Sequence, residues 1–140
     1  MPYSPMLVRP FREELTEVGV PELLTAEAVE TWMAETSGVS LLIFNSVCGS
    51  AAGIARPAIR HWLEDSGKKP DRMASVFAGQ DLEATARARG YIPDIPPSSP
   101  SIAVFKDGEL VYFIPKYRIE SWDARSVASD LSAVFEEFCA

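Results

Sequence analysis

The residue in this chain best placed to do chemistry is Cys48, in the run Asn45-Ser46-Val47-Cys48-Gly49-Ser50. A nearly unbroken apolar stretch ends just before it, and a helical pattern begins just after it. The reactive form of cysteine is the thiolate, and unpaired backbone N–H groups at a helix N-terminus stabilise an anion. The position therefore predicts a depressed pKa for Cys48, at about 1.4 kcal/mol per unit in favour of the charged form. Gly49 would let the backbone approach an incoming sulfur, and Ser50 can donate a hydrogen bond to it. The small residues Ala51, Ala52 and Gly53 keep the helix start open enough to admit a bulky disulfide.

The other chemistry-bearing side chains are sparse. Cys139 is the only other cysteine and ends an amphipathic pattern. It could resolve a disulfide on Cys48 only if the two Cα atoms lie within about 7 Å. Two distant cysteines make no secreted disulfide framework and fit a reducing compartment. His61, the single histidine, follows Cys48 by thirteen residues. No metal site is expected, because a structural zinc needs four ligands at paired spacings, and His61 reads as a surface residue of a helix. No phosphate-cradling glycine motif occurs, and the carboxylates spread along helix faces.

These residues need elements to hold them. Pro10 predicts the start of a short helix through Phe11, Leu15 and Val18, stopped by Gly19. Thr25 is the expected N-cap of a second helix burying Ala28, Val29, Trp32 and Met33, with Gly38 ending it. Val39–Phe44 is too short for a helix and too continuously apolar for a half-exposed strand, so it reads as a strand covered on both faces. From Ala51 to about Glu64 the apolar spacing is helical, with a kink expected at Pro57. Ala74–Ala78 is a second strand, and Asp81 to Arg89 a short helix closed by Gly90. Asp107-Gly108 between two apolar runs, Ile102–Lys106 and Glu109–Ile114, is the pattern of a two-residue hairpin. Val127, Leu131, Val134, Phe135 and Phe138 mark one face of a last helix starting near Asp123.

The order from Val39 onward is strand, helix, strand, helix, hairpin, helix. It predicts an α/β protein with a mixed central sheet flanked by helices. This is a thioredoxin-like order carrying extra N-terminal helices, in one domain over residues 1–140. In such a fold Pro100, in the loop Pro97-Ser98-Ser99-Pro100-Ser101 before the hairpin, follows a cis peptide. That geometry would leave the backbone of Ser99 free to pair with substrate beside Cys48.

The residues also match something narrower. Asn45-Ser46-Val47-Cys48-Gly49 with Ala51-Ala52-Gly53 and Ala55-Arg56-Pro57 resembles the active-site segment of the bacilliredoxins. These are small thioredoxin-fold proteins of low-GC Gram-positive and related bacteria. Phe77-Ala78-Gly79-Gln80-Asp81, Pro97–Ser101, Phe113-Ile114-Pro115, Ile119-Glu120, Arg12–Thr16 and the late Cys139 resemble the same family, so the likeness runs nearly end to end. It implies an enzyme that removes bacillithiol from mixed disulfides on client proteins, Cys48 being the attacking thiol. Bacillithiol would be a co-substrate, with no bound cofactor. The family's motif is commonly Cys-Gly-Cys, and Ser50 replaces its second cysteine. Tyr117 and Trp122 stand where histidines are expected in relatives.

One thiolate suffices for the first attack, and a second bacillithiol, or Cys139, would then clear Cys48. Bacillithiol carries carboxylates, which makes Arg56, Lys116 and Arg118 candidate binding cations. Three other readings remain: a disulfide isomerase or general thiol–disulfide oxidoreductase, weakened by Ser50; an iron–sulfur carrier sharing a cluster between protomers; and a redox-inert interaction domain. The net charge of −7 argues against nucleic-acid or anionic-membrane partners. No apolar run approaches the roughly 20 residues of a membrane span. Met1 to Pro10 lack the layout of a secretory signal, so the expected location is the cytoplasm.

Overall fold

A computed structural model describes residues 2–140; Met1 lies outside the described residues. The elements run α1 (Pro5–Thr16), α2 (Ala26–Ala34), β1 (Val39–Asn45), a π-helical turn (Ala51–Ala55) continuing into α3 (Arg56–Glu64), β2 (Arg72–Phe77), α4 (Leu82–Arg89), β3 (Ser101–Lys106), β4 (Glu109–Ile114), α5 (Lys116–Ser121) and α6 (Ala124–Phe138). The sheet order is β2-β1-β3-β4. β1 pairs parallel with β2 and antiparallel with β3, and β4 runs antiparallel to β3. This is the expected mixed sheet, with β1 at its centre and every residue of β1 buried. Beyond β2, Pro21 and Leu23 exchange backbone hydrogen bonds with Ser75 and extend that edge by one bridge.

Alternation along the strands builds two cores. Val39, Leu41 and Ile43 with Ile102 and Val104 face α3, α5 and α6, where Ile59, Trp62, Leu131 and Phe135 are buried. Leu42 and Phe44 with Ala74, Val76, Ala103 and Phe105 face Val29 and Met33 of α2 and Ala84 and Ala88 of α4. Thr25 accepts from the Ala28 N–H as the N-cap of α2, and Asp123 accepts from Ser126 at the start of α6. Asp107 and Gly108 both have positive φ, 49° and 86°. That pair of conformations matches the twist of the hairpin strands.

Two local expectations are revised, and one element is added. α1 starts at Pro5 rather than Pro10, and Pro10 lies inside it. Pro10 and Met6 are both on the exposed side of α1, so the hydrogen bond that Pro10 cannot donate is lost where water can replace it. At Pro57 the helix does not simply kink. The turn before it widens, and the Arg56 N–H donates to Ala51 O. The segment after Pro115 is helical as α5, a short turn carrying Ile119 into the core.

Candidate active site around Cys48

The end of β1 delivers Asn45 and Ser46, both buried, and the chain then turns to place Cys48 before the π-helical turn. The Cys48 carbonyl accepts from the N–H groups of Ala51 and Ala52, so the thiol stands where the helix presents its unpaired donors. Its sulfur lies 3.2 Å from Ser46 Oγ, which donates to it, and 3.1 Å from Ser50 Oγ. The Cys48 N–H donates back to Ser46 Oγ at 3.1 Å, closing a two-residue side-chain turn. The Ser99 carbonyl oxygen lies 4.0 Å from the sulfur. Cys48 is half-buried, and a Cβ built on Gly49 or Gly53 would meet nothing within 4 Å.

Partial burial pushes the Cys48 pKa up. The hydroxyls of Ser46 and Ser50 and the N–H groups of Ala51 and Ser50 favour the thiolate, and their sum holds the pKa below the ordinary thiol value. Alkylation of Cys48, followed against pH in a Cys139→Ser background, should therefore show a midpoint below about 8.5, the free-thiol value. A midpoint at or above that value contradicts this account. A depressed folded-state pKa also stabilises the fold. That contribution is fully present above the unfolded thiol's pKa, is lost as pH falls through the folded one, and is absent when the sulfur is capped.

The loop opposite is held from several directions. The Ser99–Pro100 peptide is cis. Ser98 O accepts from Ser101 Oγ at 2.8 Å and from Arg89 Nη2 at 3.4 Å, and Ser98 Oγ accepts from the Lys116 N–H at 3.3 Å. These contacts present the Ser99 carbonyl beside the sulfur. Alongside runs a groove of about 530 Å³, lined among others by Pro97, Ser98, Phe113, Pro115, Tyr117 and Arg118.

The structure thus brings together Cys48, Gly49, Ser50, Ser99 and Pro100, and it separates two residues that the sequence groups with them. Arg56 does not face a ligand: its side chain is 1% exposed and bound within the protein. The widened turn is the reason. Its i to i+5 spacing sets Arg56 over buried Ala51 and points it inward, where an uninterrupted α-helix would turn it aside. Cys139 is not a resolving thiol for Cys48. Its sulfur donates to Lys69 O and shares a cavity with Gly38, Val39 and Lys106, at the far end of β1. The seven residues of β1 keep the two thiols on the order of 20 Å apart. Both are free, and burial leads the causes that raise the Cys139 pKa.

Of the remaining cations, Arg118 is committed to Tyr112 and Asp130 and lies over the Trp122 ring. Lys116 reaches the loop through its backbone. His61 is half-buried on α3 near Glu64. Among the described residues no group of three or more metal-ligating side chains is clustered, and no helix is long and apolar enough to cross a membrane. Ser46 touches the Cys48 sulfur and Asn45 holds the Ser46 N–H, contacts the sequence reading did not single out. A serine two residues before a candidate nucleophile is the signal that could have found the first.

A lone accessible thiol at a helix start, faced by a cis-proline loop at the end of a central strand, defines a thiol–disulfide oxidoreductase of thioredoxin fold. Solved structures of low identity share that fold. A mutant thioredoxin from Halobacterium salinarum aligns with a TM-score of 0.58 at 17% identity, over 88% of this chain and 93% of its own. A thioredoxin of Malassezia sympodialis gives 0.58 at 16% identity, over 87% and 92%. Residues 3–139 match a family model described as disulphide isomerase. A bacilliredoxin of Shouchella clausii is 47% identical over 137 residues, covering 98% of this chain and 94% of the relative. One from Halalkalibacterium halodurans is 48% identical with the same coverage. One from Salinibacter ruber is 47% identical over 140 residues, covering 99% and 82%. The chain belongs to the bacilliredoxin family.

Proposed function

We propose that the protein removes bacillithiol from mixed disulfides on client proteins by a monothiol route. The observation that carries this reading is the solitary thiol: Cys48 is activated by Ser46 and Ser50, and the other cysteine lies at the opposite end of β1. The Cys48 thiolate attacks the bacillithiol sulfur of the client mixed disulfide. The S–S bond breaks, the client sulfur leaves as a thiolate and takes a proton from water, and Cys48 now carries bacillithiol in a new disulfide. The thiolate of a second bacillithiol attacks that bacillithiol sulfur, releases bacillithiol disulfide and returns the Cys48 thiolate. In sum one S–S bond is exchanged for another: the client sulfur returns to the thiol level, the sulfur of the free bacillithiol rises to the disulfide level, and the protein ends as it began.

Each neighbour has a part in this sequence. Ser46, Ser50 and the Ala51 amide stabilise Cys48 both as nucleophile and as leaving group. The Ser99 carbonyl and its neighbouring peptide offer main-chain pairing to an extended client segment, and the groove beside Pro97 and Tyr117 offers room for the body of the thiol. No resident cofactor is required, and the partners are bacillithiolated clients and bacillithiol itself. An isomerase reading is favoured by the description of the matching family model and weakened by Ser50, which stands where shuffling would normally use an escape thiol.

The kinetics test the route. Turnover of a bacillithiolated client should rise in proportion to bacillithiol concentration until the first attack limits it. Cys139→Ser should keep the wild-type rate within about twofold, because surface and half-buried changes away from a site seldom do more. Loss of turnover in Cys139→Ser, with the fold intact, would mean that the second thiol takes part.

A further inference from the structure

Arg56 is the only charged side chain among the described residues that is buried, at 1% exposure. A charge in that position is expensive unless the surroundings compensate it. One Nη1 donates both to Asn45 Oδ1, at 2.9 Å, and to the Ser46 carbonyl, at 2.7 Å. Nε lies 3.3 Å from Glu14 Oε1, a carboxylate one-third exposed on α1, and the guanidinium stacks over the Phe11 ring at 4.8 Å. Nη2 has no hydrogen-bond partner among the described residues. The compensation is therefore incomplete, and most of what Arg56 does hold is the two residues that lead into Cys48.

Those two residues are fixed at every polar atom that matters. Asn45 Oδ1 also accepts the Ser46 N–H at 2.9 Å, and Asn45 Nδ2 donates to Phe11 O at 3.2 Å. The Ser46 peptide is thus fastened at its N–H by Asn45 and at its carbonyl by Arg56. Its hydroxyl accepts from the Cys48 N–H and donates to the sulfur. The side chains in hydrogen-bonding range of that sulfur, Ser46 and Ser50, are uncharged. Of the other charged groups on α1, Arg12 is taken up by Asp81 and Glu22, and Glu13 by Arg9. Among the described residues Glu14 is the one titratable group within ion-pair distance of Arg56.

We propose that Arg56 is a positioning residue for the Cys48 nucleophile: it anchors the Ser46 carbonyl and the Asn45 side chain so that the Ser46 hydroxyl stays on the sulfur. The proposal rests on Cys48 being the nucleophile and deepens that reading. It gives the one buried charge among the described residues a role in setting reactivity without contact with substrate.

The test is the pH profile of Cys48 alkylation by iodoacetamide, in full-length protein carrying Cys139→Ser. Arg56→Met removes the anchor and suits a core position. Arg56→Lys is the second variant should the first not fold; it keeps a charge but loses the planar fork. Arg56→Met should move the midpoint upward and slow alkylation at pH 7 by about tenfold, the size of one pKa unit, with the rate at high pH unchanged. Arg56→Lys should shift it the same way by less. Ser46→Ala should raise the midpoint too, and adding Arg56→Met to Ser46→Ala should raise it no further, since both act on one hydroxyl. Folded Arg56 variants with the wild-type profile would overturn the proposal, and additive shifts would overturn the route through Ser46. If wild-type Cys48 itself titrates at or above about 8.5, this proposal and the proposed function fall together. A depressed wild-type midpoint with unmoved Arg56 variants removes this proposal alone.

Discussion

Cys48→Ser should fold normally and lose bacillithiol transfer altogether, a fall of roughly 10³-fold or more, as removal of a nucleophile ordinarily gives. The substitution keeps the size of the side chain and leaves Ser46, Ser50 and the Ser99 carbonyl in place. Only the thiolate disappears, because an alcohol does not ionise in this range. Unchanged far-UV circular dichroism together with a client that keeps its bacillithiol is the expected pair of results. Retained transfer in this variant would move the chemistry to Cys139, which sits beside Lys69 at the other end of β1 with its pKa raised by burial.

The largest effect on stability should come from Trp62→Ala. Trp62 is fully buried in the core between the sheet and α6, and it stacks on Phe135 with ring centroids 4.9 Å apart. Emptying a site of this kind costs roughly 3–5 kcal/mol through lost burial and the cavity left behind. For a domain this size that lowers the melting temperature by on the order of 10–15 °C. Trp62→Phe should cost much less, since it keeps the stack and removes an indole N–H that has no partner among the described residues. Equal losses for the two variants would mean that packing against Phe135 is not what Trp62 contributes. Because α3 also carries Arg56, a melting curve and the Cys48 pH profile on the same samples would separate core packing from site geometry.

How much of this could be read from residues alone depends on how local the cause is. Val39–Phe44 announces a strand covered on both faces because no other element accommodates so short an apolar run, and β1 is buried throughout. Asp107-Gly108 fixes the hairpin through its own backbone conformations. Thr25 and Asp123 cap helices through bonds three residues away. The placement of Cys48 at a strand–helix junction and of Ser99-Pro100 opposite it follows from element order. What escaped depended on distant partners. Arg56 looks like a surface cation because arginines usually are; its burial is decided by Asn45 and Ser46 from β1, by Phe11 and Glu14 from α1, and by the widened turn before Pro57. Nothing in the spacing of Cys48 and Cys139 tells which end of the sheet the last helix reaches. Pro10 looks like a helix start by residue type, yet Pro5 offers the same signal one turn earlier, and the exposed side of α1 tolerates the second proline.

The fold and the solitary thiol meet in a single measurable event, the passage of bacillithiol to Cys48. Mixing the reduced protein with a bacillithiolated client, then taking intact masses and mapping peptides, should show one bacillithiol on Cys48, a client lighter by the same mass, and Cys139 unmodified. Adding free bacillithiol should return Cys48 to the thiol and yield bacillithiol disulfide. If Cys48 is reduced and reactive to iodoacetamide yet takes no bacillithiol from the client, the proposed function is contradicted.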